Sequence, residues 1–137
     1  MLDKFHATLR HHGRSVTTSR TLLFEYLQAH EAISLKQFVA DNRILADQAS
    51  LYRSLQLFRE LGIIEERFAA SEKLIELSDS YDTHHHHLTC MNCGKIIAIH
   101  EDPALEQWIT RLAEQENFTA ATHQLEIRGH CQKCQLQ

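Results

Sequence analysis

The sequence has 137 residues, 43% of them hydrophobic, and a formal charge of −4, enough for one ordinary domain or two small ones. One proline and four glycines exclude a low-complexity or disordered chain, and no apolar run exceeds the four residues from Ile96 to Ile99, which excludes a spanning helix. The acidic balance argues against a generic basic nucleic-acid coat but leaves DNA binding open, because charge distribution matters more than the sum. The stretch from Met1 to Gly13 has no apolar core of signal-peptide length. A cytoplasmic setting with reduced cysteines is expected, with no membrane partner.

In chain order, Leu2, Phe5 and Leu9 share one face of a first helix that Gly13 ends. Leu22, Leu23, Tyr26 and Leu27 form a second apolar stripe behind the cap candidates Thr17, Thr18 and Ser19. Ser34 with Gln37 has the spacing of a capping box and opens a short helix with Leu35, Phe38 and Val39 inward. Asp47 caps a fourth helix, whose buried face is Leu51, Leu55 and Phe58 and whose C′ residue is Gly62. Ile63-Ile64-Glu65 and Lys73 to Leu77 then flank a turn at Ala69-Ala70-Ser71-Glu72, which predicts a hairpin. Short helices followed by a hairpin are the order of a winged helix-turn-helix. Its recognition helix starts at Gln48 and presents Ser50, Tyr52 and Arg53 away from the apolar face. Such groups reach phosphates and base edges, although an exposed arginine on an ordinary helix has the same pattern.

The composition changes near Leu77. Residues 1–78 carry ten Lys/Arg and ten Asp/Glu; residues 79–137 carry four and eight, so the whole excess of −4 lies in the second half. The polar stretch 79–83 reads as a hinge. It separates a winged-helix, candidate DNA-binding domain over 1–78 from a smaller domain over 84–137. The second part predicts a strand from His84 to Thr89, a tight turn, a strand at Ile96 to Ile99 and a helix from Asp102. Asp102 caps that helix, and Pro103 occupies its first position. Leu105, Trp108, Ile109 and Leu112 form its apolar face, and a last strand spans Gln124 to Arg128. This β-β-α-β unit is too small for much core, so it gains from self-association.

Cys90, Cys93, Cys131 and Cys134 form two Cys-x-x-Cys knuckles. Each offers two thiolates within reach of one tetrahedral Zn²⁺, and together they complete a closed structural site. Disulfides and a redox pair are the rivals; the reducing compartment and the missing active-site helix weigh against them. His84 to His87 lead straight into a strand, so they are not a terminal tag. Strand alternation sends His84 and His86 one way and His85 and His87 the other, toward two separate metal sites. Glu65, Glu76, Glu106 and His123 are candidate partners, and imidazole with carboxylate suits Zn²⁺, Fe²⁺ or Mn²⁺. A solvated histidine cluster is the bland alternative. His6, His11, His12 and His100 read as surface residues.

Together these motifs resemble the ferric uptake regulator family of metal-dependent bacterial repressors. The matching stretches are Gly13 to Arg20, Ala49-Ser50-Leu51-Tyr52-Arg53, His84 to Lys95 and Gly129-His130-Cys131. The resemblance implies an N-terminal winged helix and a C-terminal dimerisation domain, an α+β chain that binds double-stranded operator DNA as a homodimer. By position it implies structural zinc on the four cysteines and a dimerisation-domain site on His84, His86, Glu106 and His123. It also implies a sensing site on His85, His87 and Glu76, for which Glu65 is the substitute fourth ligand. The implied DNA contacts are Arg53, Tyr52, Ser50 and Thr17, with Arg14 and Arg20 near phosphates. Iron-type members typically carry a histidine at the position of Ala32. Its absence and the unbroken histidine run look more like zinc uptake regulators, with iron-, peroxide- or manganese-responsive regulation as the alternative. A zinc hydrolase would need a nucleophile or His-Glu-x-x-His motif, which is absent; a metal store would not need the winged-helix half.

Overall fold

The structure, a computed structural model, describes residues 1–69 and 72–136. It divides into two compact units, Met1–Thr83 and His84–Gln137.

The first unit runs α1 (Leu2–His11), α2 (Thr18–Gln28), β1 (Ile33–Ser34), α3 (Leu35–Asp41), α4 (Gln48–Glu60), β2 (Ile64–Ala69) and β3 (Glu72–Leu77). Polar residues at the helix starts supply the acceptors that orphan amides need. Thr17 Oγ1 accepts from the Arg20 amide at 3.3 Å, Ser34 Oγ from Gln37 at 3.1 Å and an Asp47 oxygen from Ser50 at 2.7 Å. The Ser50 backbone bond holds the Asp47 carboxyl below its ordinary pKa. Gln37 does not complete a capping box: its side-chain amide instead donates to Asp41 Oδ1 at 2.6 Å. At the far end of α4, Gly62 has φ +65°. Its amide bonds Arg59 O and the next, Ile63, bonds Phe58 O, which is the paired closure that a left-handed residue permits.

The core of this unit is aromatic at its centre. Phe5 stacks on Phe24 with ring centroids 4.3 Å apart and meets the edge of Phe58 at 5.3 Å. Leu9, Leu23, Leu27, Phe38, Leu51, Leu55, Ile63 and Ile75 surround them. The inward stripe of α2 is Leu23, Phe24 and Leu27. Leu22, expected inside, is 39% exposed, because the helix turns its face by one position to admit the larger Phe24. β3 is the central strand of the wing, with β2 on one side and the two-residue β1 on the other. The β2–β3 register pairs Glu65 with Glu76 and Arg67 with Leu74. Of the expected turn between them, Ala70 and Ser71 lie outside the described residues.

The stretch read as a hinge is anchored to this unit. Tyr81 is buried against Phe24, its hydroxyl bonds Thr8 Oγ1, and Lys4 Nζ lies 4.9 Å from its ring centre while donating to Ser80 O at 2.7 Å.

The second unit contains β4 (His85–Cys90), β5 (Ile96–His100), α5 (Pro103–Gln115), β6 (Glu126–Gly129) and the short α6 (Gln132–Gln135). The sheet order is β5-β4-β6, with β5 antiparallel and β6 parallel to β4. The parallel pairing sets Cys90 opposite Gly129, two residues before Cys131. The strand begins one residue later than expected, so His84 precedes it. Asp102 caps α5 through the Ala104 and Leu105 amides. No residue of α5 is buried in the single chain: Trp108 is 55% exposed, and Phe118, after the helix, 67%. Among the described residues, no helix is long and apolar enough to cross a membrane.

Candidate metal centres

The first centre gathers Cys90, at the end of β4, Cys93 in the following turn, and Cys131 and Cys134 around α6. One Sγ from each lies within 4.8 Å of all the others. Cys93 Sγ stands 3.7 Å from Cys131 Sγ. A tetrahedral zinc with bonds of about 2.3 Å has sulfur–sulfur edges of about 3.8 Å, so the cage has the size of that ion. The turn between the first two cysteines closes by the Gly94 amide on Cys90 O at 3.0 Å, and Gly94 takes φ +72°. The backbone also supplies charge balance. The Cys131 amide, which donates to Cys90 Sγ at 3.4 Å, and the Cys93 amide bring the Cys90 thiol down to about 5. The Cys134 amide lowers Cys131 as well. A bond from Asn92 favours the Cys134 thiolate, but burial and the neighbouring sulfurs outweigh it and push that thiol up to about 11. Without a cation the cage therefore keeps Cys134 protonated, because four adjacent thiolates repel.

The second centre converges on Glu106 of α5. Its Oε1 lies 2.8 Å from His86 Nε2 and 3.7 Å from His84 Nε2, and its Oε2 lies 3.2 Å from His123 Nε2. His84 and His123 face each other at 2.9 Å between Nε2 atoms. Tetrahedral nitrogen and oxygen ligands at about 2.05 Å have edges of about 3.3 Å, which the observed distances bracket. Three imidazoles on one carboxylate thus form a donor set with the size and chemistry of a Zn²⁺, Fe²⁺ or Mn²⁺ site.

The other two histidines of the run form their own pair, ring centres 4.7 Å apart. In the first unit, Glu65 and Glu76 stand opposite each other on the wing, an unfavourable like-charge pairing unless compensated. Arg67 compensates. Two residues along the same face of β2, its Nε donates to Glu76 Oε1 at 2.7 Å, and its Nη2 bonds the same oxygen. The sequence reading missed Arg67; the i, i+2 spacing from Glu65 was the available signal.

The expected DNA-facing residues lie on the surface of the first unit. Tyr52 and Arg53 are exposed on α4, and Arg53 Nη2 donates to the half-buried Ser50 Oγ at 2.9 Å. Thr17 is occupied as a helix cap, Arg20 Nη1 donates to Ser15 O at 2.7 Å, and Arg14 is exposed.

The sequence profile of the Ferric uptake regulator family matches residues 11–128. The chain belongs to that family. A ferric uptake regulation protein of Vibrio anguillarum is 33% identical over 129 residues, covering 90% of this chain and 85% of that protein. The peroxide operon regulator of Bacillus subtilis is 32% identical over 133 residues, covering 93% and 88%. Among solved structures, the Vibrio cholerae ferric uptake regulator is similar with a TM-score of 0.69 and 30% identity, covering 92% of this chain and 98% of that one. Ferric uptake regulator family proteins are metal-responsive, DNA-binding regulators that act as dimers; they are not enzymes. The winged helix with a second α/β unit is the architecture expected of it.

Proposed function

We propose that this protein is a dimeric transcriptional repressor that binds operator DNA in the cytoplasm when its regulatory site holds zinc, and so controls zinc uptake genes. The observation that carries this reading is the presence, in one small unit, of two chemically different cages: four sulfurs, and three imidazoles with a carboxylate. A closed thiolate cage suits a permanent structural Zn²⁺. An imidazole–carboxylate cage suits a second ion of different ligand preference, Zn²⁺, Fe²⁺ or Mn²⁺.

In this reading Cys90, Cys93, Cys131 and Cys134 hold structural zinc. His84, His86, Glu106 and His123 hold a second ion. His85 and His87, with Glu76 and Glu65 from the winged-helix half, hold the sensed one. A bound cation supplies the positive charge that ties these side chains together. Ser50, Tyr52, Arg53 and Thr17 contact DNA, with Arg14 and Arg20 at phosphates. The exposed apolar residues of α5 favour dimerisation, since burial of Trp108 and Leu112 in a partner recovers their hydrophobic free energy. Two recognition helices then meet two half-sites of a palindromic operator. A hundredfold preference of metal for the DNA-competent arrangement is worth about 2.7 kcal/mol.

The unbroken run of imidazoles and Ala32 in place of a histidine favour zinc. The names of the two curated relatives favour a second reading, iron- or peroxide-responsive regulation, with manganese as a further candidate ion. Titrating DNA affinity against buffered free Zn²⁺, Fe²⁺ and Mn²⁺ separates them. Activation by Zn²⁺ at free concentrations where the other two are inert supports zinc sensing; activation by Fe²⁺ or Mn²⁺ instead refutes it. DNA binding that ignores a chelator too mild to strip the cysteine cage refutes metal sensing.

A further inference from the structure

Most cations of the first unit are already engaged. Arg59 and Lys73 both pair with Glu66, at 3.1 and 2.8 Å. Arg67 holds Glu76, Arg53 bonds Ser50, and Lys4 and Arg20 bond backbone carbonyls. Arg10, Arg14, Lys36 and Arg43 are exposed and make no side-chain hydrogen bond or ion pair among the described residues, and of these Lys36 and Arg43 line one groove. The two stand seven residues apart, at the start of α3 and just past its end, and line the groove together with the edge of Val39. They form one wall of this concavity of about 370 Å³. Gln48 and Tyr52 of the first turns of α4 form the opposite wall, and Lys73 of β3 closes the wing end. Glu72 is the one acid among the described residues that line it, and because Lys73 is paired with Glu66 the cations free to act in the groove are Lys36 and Arg43.

In a helix-turn-helix, the helix before the recognition helix crosses the sugar-phosphate backbone while the recognition helix enters the major groove. Here α3 and α4 hold those two positions. A strand that borders the base edges read by Tyr52 must pass beside α4, along the channel that Lys36 and Arg43 line. We propose that this groove is a backbone seat for DNA, in which Lys36 and Arg43 each neutralise a phosphate and Tyr52 lies at the boundary between backbone and bases. The proposal rests on the DNA-binding reading above and adds a surface to it. Lys73 helps indirectly: its bond to Glu66, which also holds Arg59 of α4, fixes the wing against the recognition helix and keeps the groove open at a set width.

Phosphate contacts have a signature of their own. Each one removed lowers the slope of log affinity against log salt by about 0.9 and weakens binding to all sequences alike. The test uses a duplex enriched from a random-sequence pool by the zinc-loaded wild-type protein, with a scrambled duplex as control. The Lys36→Ala/Arg43→Ala double variant is measured by fluorescence anisotropy across a salt series, beside Arg53→Ala. The groove predicts a slope reduced by about 1.8 for the double variant, with equal fractional loss on both duplexes. Both side chains are exposed and without partners, so circular dichroism and thermal midpoint stay at wild-type values. A wild-type slope in the folded double variant overturns the proposal while leaving DNA binding intact. Loss confined to the enriched duplex also overturns it, since that marks base reading. A wild-type protein that enriches no duplex overturns this proposal together with the regulator reading.

Discussion

His86 Nε2 of β4 lies 2.8 Å from Glu106 Oε1 in the first turns of α5, twenty positions further along the chain. His86 is 1% exposed, so this pair sets the depth of the second centre, while His84 and His123 close it from the outside. Glu106 is the shared element: its carboxylate approaches all three imidazoles. Glu106→Ala is expected to remove one metal equivalent per chain while leaving the cysteine-bound zinc in place. Native mass spectrometry of the metal-loaded variant checks this; an unchanged stoichiometry refutes the assignment.

The cysteine cage predicts a particular proton balance. Cys90, with its thiol near 5, is already a thiolate at pH 7, whereas Cys134, near 11, is not. Zinc loading of the metal-free protein at pH 7 therefore releases fewer than four protons, with Cys134 the main source. Calorimetry in two buffers of different ionisation enthalpy reads this count. Cys134→Ser is expected to lower the released count. The sign also sets the acid limit. A thiol whose folded-state pKa is depressed favours the fold above its ordinary value, and that contribution is lost as the pH falls through about 5.

Arg67 already satisfies one oxygen of Glu76. If Glu76 is a ligand of the sensed ion, that ion competes with a guanidinium, and Arg67→Ala is expected to tighten metal binding at that site by about tenfold, the equivalent of about 1.4 kcal/mol. Competition against a fluorescent chelator measures it. Glu76→Ala supplies the control, since it removes the site whatever Arg67 does.

Phe58 of α4 is fully buried and meets Phe5 of α1 edge to face. Phe58→Ala is expected to cost about 3–5 kcal/mol of the winged-helix unit, through lost burial and the cavity it leaves. Denaturant unfolding followed by Trp108 fluorescence does not report this loss, because Trp108 belongs to the other unit; far-UV circular dichroism does.

Ser34→Ala removes the acceptor for the Gln37 amide at the start of α3 and is expected to cost about 1 kcal/mol. Gln37→Ala costs less at that end, because the Gln37 side chain serves Asp41 and not the Ser34 amide. The two thermal midpoints, compared directly, check the order.

Local chemistry carried much of this molecule in plain view. Thr17, Ser34, Asp47 and Asp102 are caps because a short oxygen-bearing side chain is the nearest acceptor for an orphan amide. Gly62 ends α4 because a left-handed residue is cheap only for glycine. The two knuckles and the alternation of the histidine run depend on spacing within a few residues, and spacing is written in the chain.

Tertiary structure decided what no short window contains. Whether Leu22 or Phe24 faces inward depends on the ring of Phe5 waiting across the core. The stretch 79–83 looks like a linker until Tyr81 finds Thr8 and Lys4 of α1. Cys90 meets Cys131 only because β6 adds parallel to β4 after the α5 crossover. Glu106 joins His84, His86 and His123 only because α5 returns over that strand. The acid excess noted at the start lies in this half, where carboxylate and thiolate are ligands and the balancing charge is the ion. Ligand types and local turns follow from the order of residues; which ligands share an ion is set by contacts between distant segments, whose energies exist only in the packed chain.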